Sequence, residues 1–273
     1  MGVTGERLTH RARKRFGQHF LRDPYAIERL LAAIRPLPED RLVEIGPGLG
    51  ALTRPLLVAA GALDAVELDR DVLEPLRVRC AGLGTLRLHQ ADALTFDFAA
   101  LRGTGPPLRI VGNLPYNIST PLLFHLLGQA EHLRDLHLML QQEVVARMAA
   151  GPGEDAYGRL SVMLQYRCQV MALFTVGPEA FQPPPKVWSA VVRLIPHATL
   201  PVKVQDEQRF AEVVRRAFAQ RRKTLRNALR GLLDVADIKA AGVDPGARPE
   251  TLDLAAFAAL SHSCCKNPLE SEP

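Results

Sequence analysis

The sequence has no long apolar run. No stretch reaches the ~18 consecutive apolar residues that a membrane-spanning helix requires, so we expect no integral membrane protein. The N-terminal residues contain no apolar core followed by a small-residue cleavage site, and we therefore expect no secretory signal. These two absences favour a cytoplasmic protein.

Cysteine is scarce, and its spacing excludes the common metal motifs. The chain of 273 residues has four cysteines: Cys80, Cys168, Cys264 and Cys265. None belongs to a C-x-x-C pair, and the adjacent Cys264 and Cys265 cannot easily bridge to each other. The eight histidines are scattered. We expect reduced thiols and no metal site.

Acidic residues are absent from two basic windows, residues 7–22 and 215–230. These windows hold 13 of the 34 Lys and Arg residues, so the rest of the chain is acidic although the net charge is +5. A solvated helix face normally interleaves Glu with Lys or Arg. The pattern therefore favours a polyanion partner. The candidate phosphate-binding residues are Arg13, Lys14, Arg15, Arg221, Arg222, Lys223 and Arg226.

Strand and helix patterns alternate along most of the chain. Short apolar runs such as 41–45, 63–68 and 108–111 are typical of buried strands, and helical segments separate them. This order predicts an α/β fold with a mostly parallel, doubly wound sheet. After residue 200 the pattern is helical only. We expect a basic arm over 1–22, a ligand-binding domain over 23–200, a helical domain over 201–262 and a disordered tail over 263–273.

A glycine loop, Glu44 to Gly50, lies between a predicted strand and a predicted helix. Gly46 and Gly48 allow a nucleotide-like ligand to approach the main chain. Together with Ala51 they also fit G-x-G-x-x-A, so this loop alone does not exclude a dinucleotide enzyme. However, Pro47 removes one N–H donor, and no Lys or Arg occurs between positions 41 and 54. The loop thus mildly favours a nucleoside without phosphates, such as S-adenosylmethionine.

Two acids follow the next two predicted strands. Glu67 comes 21 residues after Gly46, where a carboxylate can accept both ribose hydroxyls. Asp92 follows the next strand and could accept the amino group of an adenine. Each is placed at the carboxyl end of its own strand, which is the ligand-binding edge of a doubly wound sheet.

The segment Asn113-Leu-Pro-Tyr116 follows the fourth predicted strand at the same edge. For methylation of the exocyclic amine of adenine, two acceptors aimed at its N–H bonds can hold the nitrogen and favour its pyramidal form, and the Asn113 side chain and the Leu114 carbonyl can supply them. Pro115 biases Leu114 to an extended conformation, and Tyr116 offers a stacking face for the base. The alternative is an ordinary β-turn.

A second aromatic candidate lies in Phe181-Gln-Pro-Pro-Pro-Lys-Val-Trp-Ser189. Phe181, held by the proline run, could cover the other face of the base. The alternative is a rigid loop with a core phenylalanine.

These motifs, with 15–21, 157–161 and 221–227, resemble the KsgA/RsmA family of ribosomal RNA adenine dimethyltransferases from about residue 10 to 260. The resemblance implies a Rossmann-like class I methyltransferase domain with a small all-helical C-terminal domain. It implies S-adenosylmethionine-dependent N6,N6-dimethylation of two adjacent adenines near the 3′ end of small-subunit (16S) ribosomal RNA, on an assembling subunit. By similarity the cofactor contacts are His19, Leu21, Gly46, Glu67, Asp92 and Asn113, and the glycine loop adds Gly48 as a candidate. Many relatives carry Asn where this chain has His19.

Three other functions compete with this interpretation. A large-subunit, antibiotic-resistance dimethyltransferase would share the catalytic motifs, although 221–227 resembles the small-subunit branch. A non-catalytic RNA-binding assembly factor could keep the fold, but the intact motifs argue against it. A nicotinamide dehydrogenase would have no use for Asn113 to Tyr116. Nothing in the sequence requires more than a monomer.

Overall fold

A seven-stranded sheet organises the first part of the molecule. In this computed structural model, residues 19–220 and 222–263 are described. The sheet contains β2 (Leu42–Ile45), β3 (Ala62–Glu67), β4 (Thr85–Gln90), β5 (Leu108–Asn113), β6 (Leu133–Gln141), β7 (Cys168–Val176) and β9 (Ser189–Pro196). Two further short strands, β1 (Phe20–Leu21) and β8 (Phe181–Gln182), pair with each other.

The strand order is β4-β3-β2-β5-β6-β9-β7. The five strands from β4 to β6 run parallel, and β9 is antiparallel to β6. From β2 the chain continues to β3 and β4 on one side of the sheet, and then to β5 and β6 on the other side. This change of direction places a crevice at the carboxyl ends of β2 and β5. The expectation of a mostly parallel, Rossmann-like sheet is confirmed.

Helices connect the strands. They are α1 (Pro24–Ile34), α2 (Thr53–Ala60), α3 (Arg70–Cys80), α4 (Phe98–Arg102), α5 (Ser119–Leu127) and α6 (Gln142–Ala149). Local signals set their ends: the Asp23 side chain accepts a hydrogen bond from the Tyr25 N–H at the start of α1, and α2 ends at Gly61 in a left-handed conformation. Apolar side chains from α1, α2, α3 and the sheet form one buried core.

The remaining helices form a second hydrophobic core. They are α7 (Arg159–Arg167), α8 (Glu207–Ala219), α9 (Leu225–Ala228), α10 (Val235–Ala240) and α11 (Leu254–Ser263). In α8 the residues at helical spacing, Phe210, Val213, Val214 and Ala217, are all buried. They pack in a cluster that includes Tyr157 and Tyr166, and the Tyr166 and Phe210 rings lie 4.8 Å apart.

By their contacts, residues 19–145 and 171–196 form one unit, and 146–170 and 197–263 form the other. This division differs from the single boundary near residue 200 expected from the sequence. Residues 146–170 join the helical unit because Tyr157, Val162 and Tyr166 belong to its core. The expected arm and tail fall outside the described residues, except for residues 19–22 and Ser263.

No helix among the described residues is long and apolar enough to cross a membrane. Cys80 and Cys168 are buried free thiols. Within the same residues, no cluster of three or more His, Cys, Asp or Glu side chains is arranged to hold a metal ion.

Candidate active site

A cavity of about 350 Å³ opens at the carboxyl ends of the parallel strands. Its size falls in the range of small-molecule sites, roughly 300–1,000 Å³. The lining includes all the sequence-predicted cofactor residues and four of the five predicted catalytic ones: His19, Leu21, Gly46, Gly48, Glu67, Asp92, Asn113, Leu114, Pro115 and Tyr116. The structure therefore brings together segments that are nearly 100 residues apart in the sequence.

The glycine loop forms one wall of the cavity. Gly46 and Gly48 have φ angles of 67° and 51°, in the left-handed region that disfavours other residues. A side chain at position 48 would also collide with the Phe20 ring, since a Cβ there would lie 2.9 Å from it. The loop thus needs glycine both for its conformation and for the close approach of β1.

Glu67 ends β3 and is almost fully buried. Its carboxylate accepts hydrogen bonds from the backbone N–H of Asp69 at 2.8 Å and of Gly48 at 3.4 Å. Burial raises the pKa of Glu67, and these two N–H groups partly oppose the shift. The carboxylate is therefore fixed against the glycine loop, with acceptor capacity left for hydroxyl donors of a ligand.

Asp92 lies in the turn after β4 and is half-buried. One of its carboxylate oxygens accepts the Leu94 N–H at 2.9 Å, which holds the side chain at the edge of the cavity. An ionised carboxylate can accept further hydrogen bonds. Its position fits contact with an amino group of a bound nucleoside.

Glu44 is a site residue that the sequence analysis missed. It lies in β2, lines the cavity and is nearly inaccessible to solvent. Burial, reinforced by the nearby Glu67 carboxylate, raises the pKa of Glu44 to about 8. Its Oε2 atom has no hydrogen-bond partner among the described residues. Its place at the start of the glycine loop was the available signal, but a buried strand position normally carries an apolar residue.

The charge of the cavity fits a cationic nucleoside better than a diphosphate. Two carboxylates, Glu67 and Asp92, line it beside Glu44, whose pKa of about 8 keeps that group mostly protonated at neutral pH, and none of the described lining residues is Lys or Arg. A dinucleotide would bring two phosphate charges into this acidic setting without a basic partner. S-adenosylmethionine, with a sulfonium and an ammonium group, complements the lining.

The amide of Asn113 is oriented by the chain itself. Asn113 ends β5, and its Nδ2 donates a hydrogen bond to the His19 carbonyl oxygen at 2.9 Å. The adjacent Leu114 N–H donates to the Met139 carbonyl at 3.1 Å, which anchors the following peptide. These two bonds fix the start of the Asn113 to Tyr116 segment on the sheet edge.

Tyr116 is held on two sides. Its hydroxyl forms a 2.6 Å hydrogen bond with the Ser189 hydroxyl, and burial raises its pKa. The His19 ring stacks against the Tyr116 ring with a centroid distance of 5.5 Å, while His19 Nδ1 donates to the Pro183 carbonyl at 2.8 Å. His19 therefore helps to hold the Tyr116 ring, a role that its sequence position did not indicate.

Phe181 lies elsewhere. It pairs with Leu21 in the two-stranded sheet, is 4% exposed and packs in the hydrophobic core of its unit. It is not among the residues that line the cavity. In this structure Phe181 is therefore a core phenylalanine, and its role as a cover for the base stays a prediction. Phe181 pairs with Leu21, which lines the cavity. Burial of both side chains therefore anchors the 19–21 segment beside the cavity.

The predicted phosphate-binding residues are only partly described. Arg13, Lys14, Arg15 and Arg221 lie outside the described residues. Arg222, Lys223 and Arg226 are exposed and form no ion pair with any described residue, whereas Arg215 and Arg216, in the same basic window, both pair with Glu212 at 2.6 and 2.9 Å. Glu212, just before the window, therefore neutralises part of its charge.

The fold and the cavity define a class of protein: an S-adenosylmethionine-dependent class I methyltransferase. The chain matches the family model described as ribosomal RNA adenine dimethylase over residues 9–264. It belongs to that family and is an adenine N6-dimethyltransferase that acts on ribosomal RNA.

Relatives cover nearly the whole chain. The chain is 57% identical over 263 residues to ribosomal RNA small subunit methyltransferase A from Pseudomonas fluorescens, covering 96% of this chain and 97% of the relative. The protein of the same name from Nitrosococcus oceani is 60% identical over 254 residues, covering 93% and 96%.

Solved structures are similar as well. A dimethyladenosine transferase from Plasmodium falciparum is 27% identical with a TM-score of 0.74, covering 89% of this chain and 96% of that one. The 23S rRNA methyltransferase ErmE is 26% identical with a TM-score of 0.69, covering 89% and 98%.

Proposed function

We propose that this enzyme transfers methyl groups from S-adenosylmethionine to N6 of two adjacent adenines near the 3′ end of small-subunit ribosomal RNA, two groups to each. The observation that carries the choice of RNA is the identity of 57–60%, over nearly full length, with relatives named for the small subunit. A large-subunit methyltransferase is similar at 26% identity.

The cofactor residues act by holding one ligand orientation. The Glu67 carboxylate accepts the ribose hydroxyls, and Asp92 accepts the amino group of the cofactor's adenine. Main-chain groups of Gly46, Gly48 and the 19–21 segment contact the rest of the cofactor. When bound, the cofactor would supply an electrophilic methyl group on a sulfonium. The amine nitrogen bonds to the methyl carbon as the carbon–sulfur bond breaks, S-adenosylhomocysteine leaves as a neutral thioether, and the methylated amine loses a proton to solvent, so no strong base is needed.

The target amine is held by two acceptors. The Asn113 Nδ2 is committed to the His19 carbonyl, so Oδ1 is the end of the amide available to accept an N–H from the target adenine. The Leu114 carbonyl accepts the other N–H. Both acceptors favour a pyramidal nitrogen whose lone pair points at the methyl group. Positioning of this kind can contribute roughly 7–11 kcal/mol.

The target base enters from a single-stranded segment and stacks on Tyr116. The Ser189 hydroxyl and the His19 ring keep the tyrosine ring in place. Loss of aromatic stacking typically costs about 1–3 kcal/mol per base.

Basic residues outside the cavity bind the RNA backbone. Arg222, Lys223 and Arg226, with Arg13, Lys14, Arg15 and Arg221, neutralise phosphates and make binding strongly salt-dependent. Contacts to phosphate carry no sequence information, so the shape of the RNA selects the target. The enzyme acts as a monomer on an assembling small subunit in the cytoplasm.

The experiment that tests this function is mass spectrometry of ribosomal RNA. Undermethylated small subunits, and large subunits as a control, are incubated with enzyme and S-adenosylmethionine. We expect two neighbouring adenines of the small-subunit RNA to become dimethylated and the large-subunit RNA to stay unchanged. Dimethylation of a large-subunit adenine would support the rival function, and no methylation of either RNA would argue for a non-catalytic role.

A further inference from the structure

Trp188 is a large apolar side chain left in solvent. It is the only tryptophan in the chain and is 52% exposed, and its neighbour Val187 is 43% exposed. Tryptophan is highly buried on average, so a half-exposed tryptophan is an informative departure from the usual pattern. Tryptophan is enriched at binding interfaces, because its ring is apolar and its N–H is a hydrogen-bond donor.

The backbone of Trp188 is fixed beside Ser189, the residue that bonds to Tyr116. The Trp188 carbonyl accepts the Gln142 N–H at 2.9 Å, and the next residue, Ser189, pairs with Gln141 at the end of β6. Ser189 is fully buried and forms the 2.6 Å hydrogen bond to Tyr116. Because consecutive Cα atoms lie about 3.8 Å apart, the Trp188 backbone is anchored one residue from the group that positions Tyr116.

The surroundings of Trp188 suit a nucleic acid. Lys186 is exposed two residues earlier, and no acid occurs between Glu179 and Asp206 in the sequence. Pro183, Pro184 and Pro185 restrict the backbone of the segment, which lowers the entropy lost on binding. An aromatic ring beside a cation is the combination that binds single-stranded nucleic acid, since bases stack on the ring and phosphates contact the cation.

We propose that Trp188 is a stacking platform for a nucleotide that flanks the target adenine, with Lys186 contacting its phosphate. This inference rests on the proposed function, because it requires a single-stranded RNA loop at the cavity. While the target base stacks on Tyr116, the neighbouring base stacks on Trp188. The platform would hold the strand while the two adjacent adenines enter the cavity in turn.

The test compares three variants on undermethylated small ribosomal subunits. Trp188→Ala removes the ring, Trp188→Phe keeps a ring, and Val187→Ala removes a neighbouring exposed apolar side chain without touching an aromatic. We expect Trp188→Ala to raise KM for the subunits between roughly 5-fold and 100-fold with kcat nearly unchanged. Trp188→Phe should recover most of the affinity, and Val187→Ala should behave like wild type. S-adenosylmethionine affinity, measured by calorimetry, should be equal in all four proteins.

A second measurement identifies the occupant directly. Ultraviolet irradiation of the enzyme–subunit complex cross-links stacked bases to aromatic side chains, and mass spectrometry maps the adducts. We expect a nucleotide of the target loop on the peptide that contains Trp188. A cross-link to a ribosomal protein there, an unchanged KM in Trp188→Ala, or a raised KM that Trp188→Phe does not recover would overturn the proposal.

The outcomes separate this inference from the proposed function. If wild type dimethylates the small-subunit adenines while Trp188→Ala matches its KM, only the stacking platform is wrong. If wild type methylates no small-subunit RNA, both the proposed function and the platform are overturned.

Discussion

The side-chain nitrogen of Asn113 donates a hydrogen bond to the backbone carbonyl oxygen of His19, 2.9 Å away. A carbonyl oxygen can only accept, so this bond fixes which end of the Asn113 amide is the nitrogen. The amide oxygen is therefore left for the cavity. A residue from the N-terminal segment thus sets the orientation of a group at the end of β5, 94 positions later in the chain.

Glu67→Ala should weaken S-adenosylmethionine binding about 10- to 100-fold, because hydrogen bonds to a charged group are worth roughly 1.5–3 kcal/mol. RNA affinity should stay within about 2-fold, since phosphate contacts outside the cavity dominate it. Isothermal calorimetry measures the first quantity and filter binding the second. Glu74→Ala is the matched control, because Glu74 is an exposed acid on α3 paired with Arg77. Equal cofactor affinity in Glu67→Ala and wild type would remove Glu67 from the site.

Glu44 should make the folded protein less stable as the pH rises. Its pKa is about 8 in the folded protein, against an ordinary value of 4.5, so the folded state holds a proton that the unfolded state releases. The destabilisation is absent below about pH 4.5, grows with pH and levels off above about pH 8. Glu44→Gln should remove this dependence. The melting temperature of the variant, relative to that of wild type, should therefore increase as the pH rises from 5 to 8. Parallel curves of melting temperature against pH for the two proteins would contradict the raised pKa of Glu44.

The exposed Arg and Lys side chains that follow α8 should control the salt dependence of RNA binding. Charge reversal at Arg222 and Lys223 should flatten the slope of log affinity against log salt, because each phosphate neutralised contributes roughly 0.7–0.9 to it. Arg215→Glu is the control, since Arg215 is already paired with Glu212. If the double charge reversal leaves the slope unchanged, Arg222 and Lys223 do not contact RNA.

Much of the site follows from local sequence. The glycines at 46 and 48, and the acids at 67 and 92, are recognisable because strand ends and tight turns have local signatures. The parallel sheet then brings them to one edge, as the strand register confirms: Glu67 pairs with Gln90, and Asn113 pairs with Met139.

The remaining features depend on contacts between distant segments. Phe181 is buried because β8 pairs with β1, and nothing near position 181 indicates that partner. The bonds from Tyr116 to Ser189 and from His19 to Pro183 likewise join residues 73 and 164 positions apart. The sequence analysis did not place the strand Cys168–Val176, whose exposed and buried residues do not alternate strictly in the structure.

The helical unit shows the same limit. The spacing of Phe210, Val213, Val214 and Ala217 predicts α8, yet residues 146–170 join that unit only through Tyr157, Val162 and Tyr166. Such packing is not visible in a local pattern. The change to a purely helical pattern near residue 200 therefore indicates only one of the points where the chain passes between the two units.

The rate of methyl transfer by Asn113→Ala tests the central claim most directly. It is measured in single turnover on undermethylated small subunits, with saturating S-adenosylmethionine, beside wild type and Asn117→Ala, which removes an exposed amide from the same cavity rim. The account predicts at least a 100-fold loss for Asn113→Ala, comparable to removing one polar group that stabilises a transition state, with RNA affinity unchanged. A rate within 3-fold of wild type would show that the amide oxygen does not hold the amine that is methylated.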